Sequence, residues 1–499
     1  MNNRNTKKTG RLSRRDFLRI SGTCAAVSAT PLLSTLLNME LIKSAAAATP
    51  DLDGYKALVC VFLHGGIDSW NVLIPYETSE YADYASIRTN MVIPYADLAS
   101  TNFTDGLSGR SFAAHPAMSE VHRLFQDGLL GFMANVGTLV APTDKADYDN
   151  RSNLPIGLFS HFDQQNSWQS SVPQSRTQIT GFAGRMADAI TDSVNSNPAV
   201  SMNISTDSMN VFQTGHAVVP YVVNRNSGAV VLKGYNGASR RDRIFTMATD
   251  GLLDQTYSGL LKRTHAQTYR QAIDAAAQFN EEIGKINLVT DFTFPGTGNK
   301  TSLSGQLEMV AKTIGASGGL GQTRQVFFVS RGGWDHHANL HNNLDNMLPE
   351  LSHALDAFYK ATVELGVAAD VTTFTASDFA RTLSSNGDGA DHGWGGNMIM
   401  MGGSVVGGGI YGQYPMTLAE GNELDVGRGR LIPTASVDEY YAELAMWFGI
   451  QNDATMETIL PNIRNFYASG TSVPPLGFMN MGDKELRRSF TFSRFTRSP

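Results

Sequence analysis

Three apolar runs, each followed within a few residues by an aspartate, constrain this chain more than anything else in it. Ala57-Leu-Val-Cys-Val-Phe-Leu63 leads into His64-Gly-Gly-Ile-Asp68. Gln325-Val-Phe-Phe-Val-Ser330 leads into Gly332-Gly-Trp-Asp335-His-His337, and Val371-Thr-Thr-Phe-Thr-Ala376 into Ser377-Asp378. Continuous β-branched and aromatic runs bounded by glycine read as strands buried on both faces. Between the second and third runs, Leu340, Leu344, Met347, Leu348, Leu351, Leu355 and Phe358 recur mostly at spacings of three and four. That pattern predicts an amphipathic helix over Asn339 to Leu365, kinked or interrupted at Pro349. Strand, helix, strand at this spacing is a parallel crossover unit. The expected fold is therefore α/β, a central and mostly parallel sheet flanked by helices.

The rest of the chain fits around that sheet. Gly251 to Ile286 is rich in Ala, Leu, Gln and Glu without proline, which predicts one long helix or a helical pair. Residues 200–233 alternate in part, with Val200, Met202, Ile204, Val211, Val218, Val219, Val222 and Val230, which predicts a small added antiparallel β patch. Asp438 to Ile450 reads as a helix, and the sparse apolar content after Pro474 as a surface arm. Of 499 residues, 42% are hydrophobic and 17% charged, enough apolar material for one large domain.

The N-terminus reads as an export leader. Ser13-Arg-Arg-Asp-Phe-Leu-Arg19 precedes a weakly apolar stretch from Ile20 to Ile42, and Ala45 to Ala48 offers a small-residue cleavage site. The paired arginines before Phe-Leu resemble a twin-arginine signal, so the translocation machinery of that pathway is an expected partner. Polar groups and Pro31 make the stretch a poor spanning helix, and no membrane span is expected after cleavage. The expected division is 1–48 leader, 49–470 α/β domain and 471–499 C-terminal arm, with the product periplasmic or secreted. The leader carries eight basic and two acidic side chains, so a total charge of −7 leaves −13 on the remainder. An acidic domain repels polyphosphate, which argues against nucleic acid as a partner. Of the two cysteines, Cys24 falls in the leader, leaving Cys60 alone and without an internal disulfide.

In sheets of this kind ligands bind at the carboxyl ends of the strands. Asp68, Asp335 and Asp378 would converge there, and converging carboxylates are costly without a cation. His337 (or His336) and His392 complete a mixed oxygen and nitrogen donor set suited to zinc or manganese, with one or two ions. Walker loops, His-Glu-x-x-His and Cys-x-x-Cys are absent.

Several longer segments carry a resemblance. Leu63 to Tyr76, Ser160 to Gln169, Gly332 to His337, Phe374 to Arg381 and Asn386 to Gly393 are similar to motifs of a bacterial secreted family, domain of unknown function family 1501. That family is related to the alkaline-phosphatase and sulfatase superfamily, which implies an alkaline-phosphatase-like sheet, two metals and a nucleophilic hydroxyl. By position, Asp68 resembles the first metal aspartate, Asp335 and His337 an Asp/His pair on one metal, Asp378 the later strand-end ligand and His392 the last histidine. The sequence departs from the superfamily at Phe379, where a histidine often stands, and in the short gap from Asp335 to His337. Ser160 is the first candidate nucleophile and Ser69 the second, although Ser160 also reads as a helix N-cap. Arg381 is a candidate for holding an anionic ester oxygen. The resemblance implies a metal-dependent hydrolase of phosphate or sulfate esters. The competing expectation is a non-catalytic or assembly protein on the same fold, acting with a secreted protein partner.

Overall fold

The computed structural model describes residues 52, 54–470 and 473–482. The expected leader and most of the expected C-terminal arm lie outside the described residues.

All three apolar runs are strands, and they lie side by side. The central sheet has ten strands: β1 (Lys56–His64), β2 (Leu130–Gly137), β3 (Asn203–Ser205), β4 (Tyr221–Asn224), β5 (Gly228–Ala229), β6 (Arg324–Gly332), β7 (Val371–Ser377), β8 (Gly396–Gly402), β9 (Ile410–Gly412) and β10 (Ala435–Ser436). Their spatial order is β9-β2-β8-β7-β1-β6-β3-β4-β5, with β10 also on β2. From β7 to β4 every pairing is parallel, with β1 between β7 and β6. Antiparallel β8 joins this block to β2. The fold is thus α/β with a mixed, mostly parallel sheet.

Strand β1 shows why the sheet is covered on both sides. Val59, Val61 and Leu63 face one apolar core, and Leu58, Cys60 and Phe62 the other. The helices include α1 (His161–Ser170), α2 (Phe182–Val194), α3 (Arg240–Leu253), α4 (Leu260–Gly284), α5 (Ser302–Gly315), α6 (Leu340–Glu364) and α7 (Val437–Phe448). Helices α5 and α6 supply Leu307, Val310, Leu344, Leu348 and Leu355 to the first core. Helices α2 and α7 supply Met186, Ile190, Tyr441 and Leu444 to the second. Phe62 stacks on Phe328 of β6 with centroids 5.8 Å apart. Truncating such a fully buried ring to alanine costs about 3–5 kcal/mol.

Helix α6 forms the β6-to-β7 crossover and runs through Pro349 as one element. The region expected as one long helix or a pair is a pair, α3 and α4, beginning earlier than the sequence suggested. Two expectations are corrected. The 200–233 segment does not build a separate antiparallel patch. Strands β3 and β4 extend the parallel sheet, and only the short β5 turns back on it. The small antiparallel sheets lie elsewhere, at 73–75, 102–104 and 111–114, at 293–300, and in the ribbon Arg381–Ser385 with Ala390–His392. The chain after Pro474 does not start as a surface arm. Phe478 and Met479 are buried, and the Glu443 carboxylate accepts from the backbone of Leu476, Gly477 and Met479. Among the described residues no helix is long and apolar enough to cross a membrane.

Candidate metal centre

Because β1, β6 and β7 are parallel neighbours, the segments after them leave the sheet at one edge. After β1 the chain turns at Gly65 and Gly66, both at positive φ. A Cβ on Gly65 would stand 2.6 Å from the Asp335 nitrogen, so only glycine lets the two turns close on each other. After β7, Phe379 and Ala380 lead into the ribbon, whose register sets Arg381 opposite His392.

Asp335 is the hub. Its Oδ1 lies 2.9 Å from His337 Nδ1, 3.4 Å from His161 Nε2 and 3.5 Å from His392 Nε2. One ligand atom from each of His161, Asp335 and His392 falls within 4.8 Å of the others. Donors bonded tetrahedrally at about 2.0–2.1 Å stand roughly 3.3 Å apart, close to these separations. The outer nitrogens of two rings are already engaged. His161 Nδ1 lies 2.7 Å from Asp378 Oδ2, and His392 Nδ1 lies 2.7 Å from the Phe159 carbonyl. In the neutral imidazole a nitrogen facing an oxygen acceptor carries the proton, so each ring in that form offers its Nε2 lone pair to the hub. His392 Nε2 is buried and has no hydrogen-bond partner. A histidine whose far nitrogen is held by a carboxylate or carbonyl is the usual arrangement around a metal. The donor set therefore fits a divalent cation.

Helix α1 brings in His161 as its first residue. Ser160 is the N-cap, its side chain accepting from the Asp163 nitrogen. One turn on, Gln165 points the same way and donates to Asp378 Oδ2 at 2.9 Å. Gly65 N donates to the same oxygen at 3.1 Å. Asp378 is fully buried and orients His161. Phe379, the departure from the superfamily pattern, packs its ring against His161 and His392 with centroids 4.9 and 4.5 Å away. It is an apolar wall fixing two imidazoles.

Arg381 is buried and paired with Asp335. It also donates to the Gly65, Gly66 and Ala390 carbonyls. Burial pushes the Asp335 carboxyl up, but Arg381, His337 and His161 together hold it below its ordinary value. The hydrogen bond to Asp378 raises His161, whereas burial lowers His392.

Of the residues expected from sequence, Asp335, His337, His392, Asp378 and Arg381 come together here. Asp68 does not. It is fully buried and paired with Arg88, which also bonds the Thr382 carbonyl. The turn after β1 carries it past the sheet edge and into the interior. His336 is buried as well, and His337 is the histidine beside Asp335. Neither candidate nucleophile bonds to the cluster. Ser160 caps α1, and the buried Ser69 hydroxyl accepts from Asn397 N at 2.9 Å. Arg381 is committed to Asp335 and backbone carbonyls, so it is not a free anion clamp. His161 is the candidate donor that the sequence motifs did not single out. Its signal was its place one turn before Gln165, directly after a cap-forming serine.

The family model described as Protein of unknown function (DUF1501) matches residues 55–434. No curated protein matches in sequence. Among solved structures, the lipoteichoic acid synthase LtaP from Listeria monocytogenes aligns at 8% identity and TM-score 0.31, covering 83% of this chain and 78% of that one. Ps i-CgsB in complex with k-i-k-neocarrahexaose aligns at 10% identity and TM-score 0.31, covering 83% and 77%. The fold given above rests on this chain's own strand order.

Proposed function

The chain belongs to the family described as Protein of unknown function (DUF1501), and from that premise we propose that it is an exported, metal-dependent hydrolase of phosphate or sulfate esters. The observation that carries the metal is that Nε2 of both His161 and His392 is turned toward Asp335 while Asp378 and Phe159 hold the far nitrogens. The ester class comes from the motifs that resemble the superfamily, and export from the twin-arginine pattern at Arg14 and Arg15.

His161, Asp335 and His392 would hold the cation, zinc or manganese by the chemistry of the set. When bound, it supplies Lewis-acid stabilisation to negative charge developing on the ester oxygens. His337 lies at the rim, 43% exposed, with Nδ1 on Asp335 and Nε2 3.9 Å from Asp391. We assign it the proton delivered to the leaving oxygen. Arg381 keeps Asp335 charged and fixed in place. No hydroxyl side chain bonds to Asp335, His161, His337 or His392 among the described residues, so water is the attacking group. The test is a screen of the full chain against phosphate monoesters, diesters and sulfate esters with zinc or manganese added. The expected result is turnover of at least one ester, abolished by chelator and reduced about a hundredfold or more in Asp335→Ala. Metal-loaded protein inert toward all three classes would overturn the ester reading.

One observation favours a second reading, an assembly protein on this fold with a secreted partner. Arg381 already neutralises Asp335, so the cluster can be held together without an ion. Full stability in chelator, with no ester turned over, would support it.

A further inference from the structure

Helix α3 is built the wrong way round for a helix on a globular domain. Its side toward the protein is polar. Thr246 Oγ1 accepts from Asn236 N at 2.8 Å, and Asp250 accepts from the Tyr235 hydroxyl at 2.7 Å and pairs with Arg270 of α4. No residue of α3 is buried. Its outward side carries Ile244 and Met247, with Met247 74% exposed, and the exposed Leu252 sits at the mouth of the cleft against α4. Leu260 and Leu261, at the start of α4, are open too, Leu261 at 87%. The buried residues of α4 lie mostly in its second half, at Ala275, Ala276, Phe279 and Ile283. The α3–α4 hairpin thus stands off the domain with its apolar side outward. Isolated exposed apolar residues need no explanation, but five large ones on one hairpin mark a surface that something covers.

Charge identifies what covers it. From Arg225 to Arg270 the chain holds eight basic and three acidic side chains, while the whole chain is −7. Arg240, Arg241, Arg243, Lys262 and Arg263 are exposed and make no ion pair among the described residues. A second copy docking through the same basic face would be repelled. Large apolar side chains fringed by arginine and lysine on a helix of this length are the composition of segments that lie in the plane of an anionic bilayer.

We propose that the α3–α4 hairpin docks the protein on an anionic lipid surface, Ile244, Met247, Leu252, Leu260 and Leu261 entering the interface and the basic fringe meeting the head groups. The hairpin needs no metal, so the inference stands apart from the hydrolase reading.

The test places an indole on the exposed face with Met247→Trp in the full chain. The five native tryptophans are all buried, so quenching by bromine on lipid acyl chains reports the new one. Vesicles of phosphatidylcholine alone are compared with vesicles containing roughly one-third phosphatidylglycerol. Quenching is expected only with the anionic vesicles, and it should fade in about 0.5 M salt. Combining Arg240→Glu, Arg241→Glu and Arg243→Glu should weaken partitioning by roughly two orders of magnitude. Ile244→Ser with Leu252→Ser should weaken it at least about tenfold. These side chains are exposed, and circular dichroism of each variant would verify the fold. No quenching, or quenching indifferent to lipid charge and to the arginines, would overturn the proposal. So would a hairpin that stays dark to lipid but binds a protein through the same residues.

Discussion

The carboxyl ends of β1 and β6 carry the same four-residue pattern, Gly65-Gly-Ile-Asp68 and Gly332-Gly-Trp-Asp335, and meet different fates. Asp68 folds inward onto Arg88, fully buried, a charge pair sealed from solvent. Asp335 stays half exposed and gathers three imidazoles and a guanidinium. The local pattern allows a carboxylate to leave the strand sharply. What arrives from elsewhere decides its role. For Asp68 that is the last residue of the helix Thr78–Arg88, and for Asp335 it is helix α1 and the ribbon after β7.

The sharpest way to break this comparison is to remove each aspartate. Asp335→Ala should abolish metal retention. With metal near a thousandfold over its dissociation constant, about 4 kcal/mol of metal-dependent stability would vanish, read as loss of the metal-induced rise in melting temperature. Asp68→Ala should cost about 3–5 kcal/mol in urea unfolding, because Arg88 is left buried and unpaired, while the folded protein keeps its metal. If Asp68→Ala sheds metal instead, the two ends are not distinct.

Smaller changes sharpen the comparison. Asp378→Asn should weaken metal binding about 10–100-fold in a competitive chelator titration, since it loosens His161 without removing a donor. The same residue sets a pH signature. Its hydrogen bond raises His161 above 6.5. In metal-free protein this pair contributes stability that is fully present below the unfolded pKa and is lost as pH rises through the raised folded value. With metal bound the slope reverses, because a proton on His161 competes with the ion. The gap between the melting temperatures of loaded and stripped protein should therefore widen as pH rises through that window, against a background common to both forms from Asp438 and Glu443, each pushed up to about 7 by burial, and a constant gap would count against His161 as a ligand. Ser160→Ala is the mildest change. It should cost only about 1 kcal/mol through the lost cap and leave metal content intact.

The sheet was legible because buried parallel strands read as continuous apolar runs and the α6 crossover as a repeat of three and four. Asp335, His337, Asp378 and His392 were legible as strand-end and ribbon residues. His161 was not, because it arrives on a helix whose docking against β7 leaves no local trace beyond its spacing to Gln165. Asp68 was misplaced for the same reason in reverse. Its motif matched, but the deciding partner, Arg88, lies twenty residues on and had no pattern of its own. The reversed polarity of α3 was also hidden, since periodicity shows that a helix has two faces and not which one meets the protein.

The central claim is that His161, Asp335 and His392 hold one divalent ion. Elemental analysis of the purified full chain, beside His392→Ala, tests it most directly. The account predicts zinc or manganese approaching one ion per chain in the parent and a trace in the variant. Parent and variant with the same negligible metal, both folded and equally stable after chelator, would contradict it.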